Sequence, residues 1–310
     1  MPLDLALVIP VWNDAEGLRA LLAQAQDFGC FRQIIVVDDG SDRPVVAPGA
    51  EVIRHPAPLG GGVARNAGLA RVTCRHLLFF DADDRLERSL LDLLADLDGR
   101  AFDFCLFKHA DSRVAAEERW GQIAHDEFLW QAAGVSVGVL QPVPPAGLPV
   151  LAQTANYPWN KVYRTAFLRD NGIGCGSTRV HQDIPLHWLG FLAADTVLVS
   201  DRICAWHGVA AAGGRLSNLR GAERLEVFDA LEPVAQAVEA KGDAGWQVAL
   251  AAFLPGLMDW VRRRIDPALH DRLDAGLARF LAARAGWIDT VARREPALAE
   301  QLRALLREAP

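Results

Sequence analysis

Two short acidic clusters punctuate the chain: Asp38, Asp39 and Asp42 form one, and Asp81, Asp83 and Asp84 form the other. Each closes an apolar run, Gln33–Val37 (QIIVV) in the first case and His76–Phe80 (HLLFF) in the second. Six carboxylates brought together repel one another, so gathering them implies a divalent cation or a basic ligand clamp. Between the clusters lies a glycine triplet, Gly60–Gly62, followed by Ala64-Arg65-Asn66. A glycine loop opening a helix suits phosphate, because backbone N–H groups and the helix dipole both favour an anion there. Its spacing fits neither a dinucleotide-binding GxGxxG nor a P-loop GxxxxGK[ST]. Lys161 is one of only 3 lysines beside 29 arginines. A point ammonium in the Trp159-Asn160-Lys161 setting therefore runs against the chain's own preference.

The elements that must carry these residues can be read from the apolar pattern. Leu5–Pro10 (LALVIP) reads as a buried strand, and Asn13 or Asp14 caps a helix to about Asp27 with Leu18, Leu21 and Leu22 on one face. Strands follow at Gln33–Val37, Glu51–Arg54, His76–Phe80 and Phe102–Phe107, with helices at Val63–Val72 and Leu86–Leu97. Such alternation predicts an α/β fold, a mostly parallel central sheet with helices on both faces. Ligands bind such sheets beyond the carboxyl ends of the strands, where both acidic clusters and the Pro10–Asn13 turn fall. Residues 111–155 are less regular and Pro/Gly-rich near Gln141–Pro149, the pattern of a variable insertion or lid. From 219 to 310 the chain is Ala/Leu/Arg-rich with helical periodicity, an appended helical region.

Composition narrows the function. The net charge is −7 and the pI about 5.6, which argues against nucleic acid as the main partner. Five cysteines without a CxxC pair read as thiols in a reducing cytoplasm. The opening Met-Pro-Leu-Asp lacks the features of a signal peptide. The most apolar later stretch, Ala244–Val261, carries Gln247, Pro255 and Asp259, so no membrane span is expected. Peripheral contact with the inner face of the membrane stays open.

Six segments occur in order with short spacings: Ile9-Pro10-Val11-Trp12-Asn13, Val37-Asp38-Asp39-Gly40-Ser41, Ala64-Arg65-Asn66-Ala67-Gly68, Phe80-Asp81-Ala82-Asp83-Asp84, Pro158-Trp159-Asn160-Lys161-Val162-Tyr163-Arg164 and His181-Gln182-Asp183-Ile184-Pro185. In these the chain resembles the family 2 glycosyltransferases, inverting enzymes of the GT-A fold, over about its first 218 residues. The resemblance implies a catalytic domain over 1–218, with a nucleotide-binding half (1–110), the insertion (111–155) and an acceptor and catalytic half (156–218). The helical region 219–310 lies outside it. The family's function is transfer of a sugar from a nucleotide-diphosphate donor, here a UDP-sugar, to an acceptor hydroxyl. By the resemblance, Mn²⁺ or Mg²⁺ sits on Asp83, with Asp81 on metal or ribose. Asp39 accepts from the base, and the Pro10–Trp12 turn cradles base and ribose. Asn13, Asp38 and Gly40 complete the donor site, and Arg65 reaches base or diphosphate. Asp183 is the candidate general base, since inversion needs a carboxylate to take the acceptor proton. The family usually has Glu before it, where this chain has Gln182.

Less specific candidates complete the set. Lys161 fixes Asp183 or a diphosphate oxygen, or forms a structural ion pair. His207 offers an imidazole to the metal or the diphosphate. Trp159, Trp188 and Trp206 form a stacking platform for a saccharide or lipid-linked saccharide acceptor, or belong to the core. Each other residue has a bland counterpart: Asp84 or Asp183 as a helix cap, Asp39-Gly40 as a simple turn, Trp12 as core and Arg65 as a surface charge. Surface polysaccharide or glycoconjugate assembly follows from family analogy alone. Alternatives are a sugar nucleotidyltransferase, which would want a basic glycine-rich loop after the first strand, and a catalytically silent nucleotide-sugar-binding protein, favoured only by Gln182.

Overall fold

The computed structural model describes residues 3–136, 138, 140–208 and 219–307. In chain order its first half comprises β1 (Leu5–Val11), α1 (Ala15–Phe28), β2 (Gln33–Asp38), β3 (Glu51–Arg54), α2 (Gly61–Arg71), β4 (His76–Phe79), β5 (Arg85–Leu86), α3 (Ser89–Leu97) and β6 (Phe104–Asp111). The middle carries α4 (Ser112–Ala115), α5 (Ala124–Ala132), β7 (Gln141–Pro142), α6 (Leu148–Leu151), β8 (Lys161–Arg164), α7 (Thr165–Asp170), α8 (Asp183–Ala193) and β9 (Val197–His207). Helices α9 (Val227–Lys241), α10 (Ala244–Arg262), α11 (His270–Ala282), α12 (Ala285–Arg294) and α13 (Pro296–Arg307) follow.

Among the described residues the strands form one nine-stranded sheet with the path β3-β2-β1-β4-β8-β6-β9-β5, and β7 also pairs with β9. Strands β1 to β4 are mutually parallel. Strand β8 enters antiparallel between β4 and β6, which restores the original direction for β6 and for β9 beside it. Strands β5 and β7 run against β9. The sheet is therefore mixed but mostly parallel, and the α/β expectation holds.

Side-chain alternation builds two cores, one on each face. Leu5, Leu7 and Ile9 of β1 meet Leu18, Leu21 and Leu22 of α1 and Leu90, Leu93 and Leu94 of α3. Ala6 and Val8, pointing the other way, join the cluster containing Ala64 of α2, Trp188 and Phe191 of α8 and the buried faces of α9 to α12. The helical region thus shares a core with the sheet, and Trp130 and Leu151 tie the 111–155 span to the same cluster. The expected boundary at 218/219 adjoins residues 209–218, outside the described residues. All five cysteines are free thiols. No described helix is long and apolar enough to cross a membrane.

This topology sets the chemistry at one edge. The carboxyl ends of β1, β2, β4, β6 and β9 share a direction, and antiparallel β8 begins where they end. Segments far apart in the chain are therefore delivered to a single rim.

Candidate active site

The first rim segment is the turn after β1. Asn13 takes a left-handed φ of 53°, donates its N–H to Ser41 Oγ at 2.9 Å and accepts from the Asp42 N–H at 2.8 Å. This reciprocal clamp locks the β1 and β2 turns together. It leaves Trp12 38% exposed, so the indole is a surface platform and not core. Pro10 sits half-buried within β1.

The second segment corrects an expectation. Asp38 is wholly buried, and its carboxylate accepts from the Ser41 and Val45 N–H groups at 2.9 and 3.2 Å and pairs with Arg54. A group enclosed and satisfied in this way organises the loop; it is not placed to contact a donor directly. Asp39 accepts from Leu59 N–H (3.0 Å), Gly60 N–H (2.8 Å) and lies 2.7 Å from His55 Nδ1. A carboxylate has about four lone-pair sites, so one on Oδ2 remains open. His55 carried no motif and was not foreseen. Gly40 is required: its φ is +70° and a Cβ there would lie 2.5 Å from the Ala57 carbonyl carbon.

The third segment is acidic. Carboxylate oxygens of Asp81, Asp83 and Asp84 lie within 4.8 Å of one another. Asp84 was read as a cap for the next helix, but α3 starts at Ser89 and Asp84 Oδ1 instead accepts from His207 Nδ1 at 2.9 Å and Gly208 N–H at 3.1 Å. Its Oδ2 is buried with no hydrogen-bond partner among the described residues. A buried carboxylate oxygen left open beside two more carboxylates suits a hard cation. Burial pushes the Asp84 carboxyl up, the charge on Asp81 adds to this, and His207 opposes it. Burial disfavours the His207 imidazolium, yet Asp84, Asp111 and Asp81 outweigh it and hold His207 above the usual histidine range. With Nδ1 committed to Asp84, Nε2 is its remaining ring nitrogen.

Arg65 is 5% exposed and pairs with Asp81. It is no surface charge, because its Nε and Nη1 are buried without partners among the described residues. The glycine triplet has a partly different purpose from the one expected. Gly60 caps α2 with its N–H on Asp39, while a Cβ on Gly62 would collide with the Gly176 carbonyl oxygen and lie 2.8 Å from Gln182 Cβ. Asn66 holds the same loop with its amide, donating to Cys175 O at 2.8 Å and accepting from Cys175 N–H at 2.9 Å. The 174–183 loop is thus seated on α2.

Asp183 ends that loop as the first residue of α8, half-buried, and no side chain caps the helix from Gln182. The cap reading for Asp183 is not supported. Burial raises its carboxyl to about 6, with Arg65 and Lys161 opposing and Asp81 assisting. A carboxylate in this range is poised to take a proton near neutrality. Lys161 proves to be interior: it is 1% exposed, and Nζ donates to Tyr157 O and Asn160 Oδ1, both at 2.7 Å. Burial lowers its ammonium to about 7, against the pull of Asp183 and Asp126. Its Nζ is thus committed to Tyr157 O and Asn160 Oδ1, and Asp183 acts on it only through its charge.

The tryptophans divide. Trp188 is wholly buried against Phe253 of α10, which removes it from any acceptor platform. Trp159, 1% exposed, packs between Phe80, Tyr157 and His207 and supports the rim from beneath. Trp206 is half-buried and stacks at 5.0 Å on Trp120, which is 60% exposed, with the Arg85 guanidinium 5.2 Å from the Trp206 ring. Trp120 sat in the irregular span and was not foreseen.

Comparison with known proteins bears directly on this arrangement. Residues 6–131, which contain the first two acidic rim segments, match the family described as Glycosyl transferase family 2. Over that segment the chain is similar to the family 2 glycosyltransferases. Over 98 residues, 29% of this chain, it is 41% identical to the Pre-mycofactocin glycosyltransferase of Mycobacterium tuberculosis strain CDC 1551 / Oshkosh. The strain ATCC 25618 / H37Rv counterpart matches equally. These alignments span 20% of those proteins, about a fifth of their length. In fold, the chain resembles S. aureus TarS 1-349, with a TM-score of 0.69 and 19% identity over 98% of this chain and 88% of that one. The complex of that protein with UDP-GlcNAc gives a TM-score of 0.70.

Proposed function

We propose that this chain transfers a sugar, with inversion, from a nucleotide-diphosphate donor to an acceptor hydroxyl. The observation that carries the reading is convergence: Trp12, Asp39, the Asp81–Asp83–Asp84 cluster, Arg65 and Asp183 occupy one rim of the sheet, although they come from five segments.

The nucleoside fits the turn. Trp12 offers an indole face for the base, and the remaining Asp39 lone pair favours a base with an imide N–H, hence uridine. Asp81, Asp83 and Asp84, with His207 held by Asp84, are the residues that would hold Mn²⁺ or Mg²⁺. Such a cation supplies charge neutralisation for the diphosphate. On donor binding Arg65 has two open N–H directions and can exchange part of its pairing with Asp81 for a donor oxygen. Asp183 then accepts the proton of the acceptor hydroxyl as that oxygen attacks the anomeric carbon and the bond to the diphosphate breaks. Arg65 and Lys161 stabilise the Asp183 carboxylate, and Trp120 with Trp206 provides an aromatic surface for the acceptor. Gln182 does not argue for silence, because its side chain packs against Gly62 and its loss of charge leaves Asp183 in place. Involvement in surface polysaccharide or glycoconjugate assembly remains part of this proposal.

UDP-GlcNAc, the ligand of the structurally similar TarS, is the first donor to try. UDP release from a panel of UDP-sugars with Mn²⁺ tests the reading. Release that EDTA and Asp83→Ala both abolish supports it; release untouched by either removes the carboxylate cluster from the function.

A further inference from the structure

The loop that carries Asp183 is held from two sides, and one of them is the helical region. On the sheet side, Asn66 and the Gly62 contact seat it against α2, and Gly176 N–H donates to Gln182 O at 2.7 Å. On the other side, Arg179 N–H donates to Glu226 Oε2 at 2.6 Å, at the entry to α9. Closer to the aspartate, His181 is 8% exposed and packs edge-on against Trp260 of α10, with ring centroids 5.5 Å apart at 77°. His181 has a φ of 65°, a left-handed conformation that a non-glycine residue holds only when its surroundings enforce it. Trp260 is itself fixed, because the guanidinium of Arg224 lies 4.7 Å and that of Arg264 lies 4.6 Å from its ring. Cation–π contacts of this kind hold an aromatic plane more firmly than packing alone.

We propose that Trp260 is a positioning residue for Asp183, and that the helical region acts in the reaction by bracing the 176–183 loop through the His181–Trp260 contact. This rests on the reading of Asp183 as the general base. Only Gln182 separates His181 from Asp183, and α8 starts at Asp183, so a change in His181 φ is transmitted to the direction of the carboxylate. The charges of Arg65, Asp81 and Lys161 act on that carboxylate, and its alignment in their field is what the brace protects. Among the described residues the Trp260 ring meets His181, Arg224 and Arg264, so its loss should act on turnover and not on nucleotide affinity.

The test uses Trp260→Leu, Trp260→Phe and His181→Asn in the full chain, with Asp183→Asn in parallel. Asn tolerates the left-handed backbone but removes the ring contact, so it serves if Trp260→Leu folds poorly. UDP affinity with Mn²⁺ is read by calorimetry, UDP-sugar turnover by UDP release, and amide exchange over 176–183 by mass spectrometry. The expected result is a loss of kcat of roughly tenfold or more in Trp260→Leu and His181→Asn, unchanged UDP affinity and faster exchange confined to 176–183. Trp260→Phe, which keeps a ring, should recover most of the rate. Unchanged exchange and kcat, or parallel losses of kcat and UDP affinity, overturn the proposal while an inactive Asp183→Asn leaves the base assignment standing. An active Asp183→Asn overturns the base assignment and the brace with it.

Discussion

Asp183→Asn is the perturbation with the most to say, because its effects on activity and stability should have opposite signs. Burial lifts the Asp183 carboxyl from 3.8 to about 6. A shift of this size corresponds to about 3 kcal/mol of preference for the neutral form. Because the folded value exceeds the unfolded one, the stability linked to this group is complete below 3.8 and is lost as pH rises through about 6. At pH 7 the wild type therefore carries an ionised group that the fold disfavours. Neutral Asn relieves a cost of up to about 3 kcal/mol, so the melting temperature should rise by several degrees. Turnover should fall by roughly a hundredfold or more, the usual scale for losing a general base. In the wild type, kcat/KM should fall on the acid side with a midpoint near the value of about 6. Arg65→Met removes a neighbouring cation that favours the carboxylate, so the residual acid limb should move to higher pH. UDP release across pH 4 to 8 and thermal melts of the same samples decide the matter. Full turnover in Asp183→Asn, or a wild-type acid limb near the ordinary carboxylate value, would refute this reasoning.

The other expectations are simpler. Trp188→Ala should cost roughly 3–5 kcal/mol in urea denaturation, as a core deletion, whereas Trp206→Ala should leave the midpoint unchanged and raise the acceptor KM. Gly62→Ala forces a methyl into the Gly176 carbonyl and should cut turnover more than UDP affinity, measured by UDP release and calorimetry. In competition binding, UDP should displace a UDP-sugar better than CDP, GDP or ADP, and Asp39→Ala should narrow the difference; tightest binding of ADP would remove Asp39 from base recognition.

Much of the rim was legible because strand ends are locally encoded. The runs LALVIP, QIIVV and HLLFF alternate sides of the sheet, and each stops at a polar turn that breaks the apolar pattern, so their order and ends follow from period and polarity. Those same ends carry Trp12, Asp39 and Asp81–Asp84. The insertion of antiparallel β8 between β4 and β6 was not legible, since pairing order depends on long-range packing and no local pattern records it. For the same reason, Trp188 and Trp206 looked alike as residues, and only the fold sends one to the core and the other to the rim. Lys161 stood out by rarity, but rarity does not say which way an ammonium points. Asp84 was visible in Asp81-Ala82-Asp83-Asp84; its partner His207 lies more than a hundred residues away, so the cap reading was the local choice.

The central claim is that the carboxylates at the end of β4 make nucleotide-diphosphate binding depend on a divalent cation. Calorimetric titration of UDP into the full chain, first with Mn²⁺ and then with EDTA, tests it most directly. The account expects UDP to bind at least ~tenfold more tightly with Mn²⁺, a difference of about 1.4 kcal/mol, and expects Asp83→Ala to erase the difference without lowering the melting temperature. Equal UDP affinity in Mn²⁺ and EDTA, with Asp83→Ala binding as the wild type does, would contradict it.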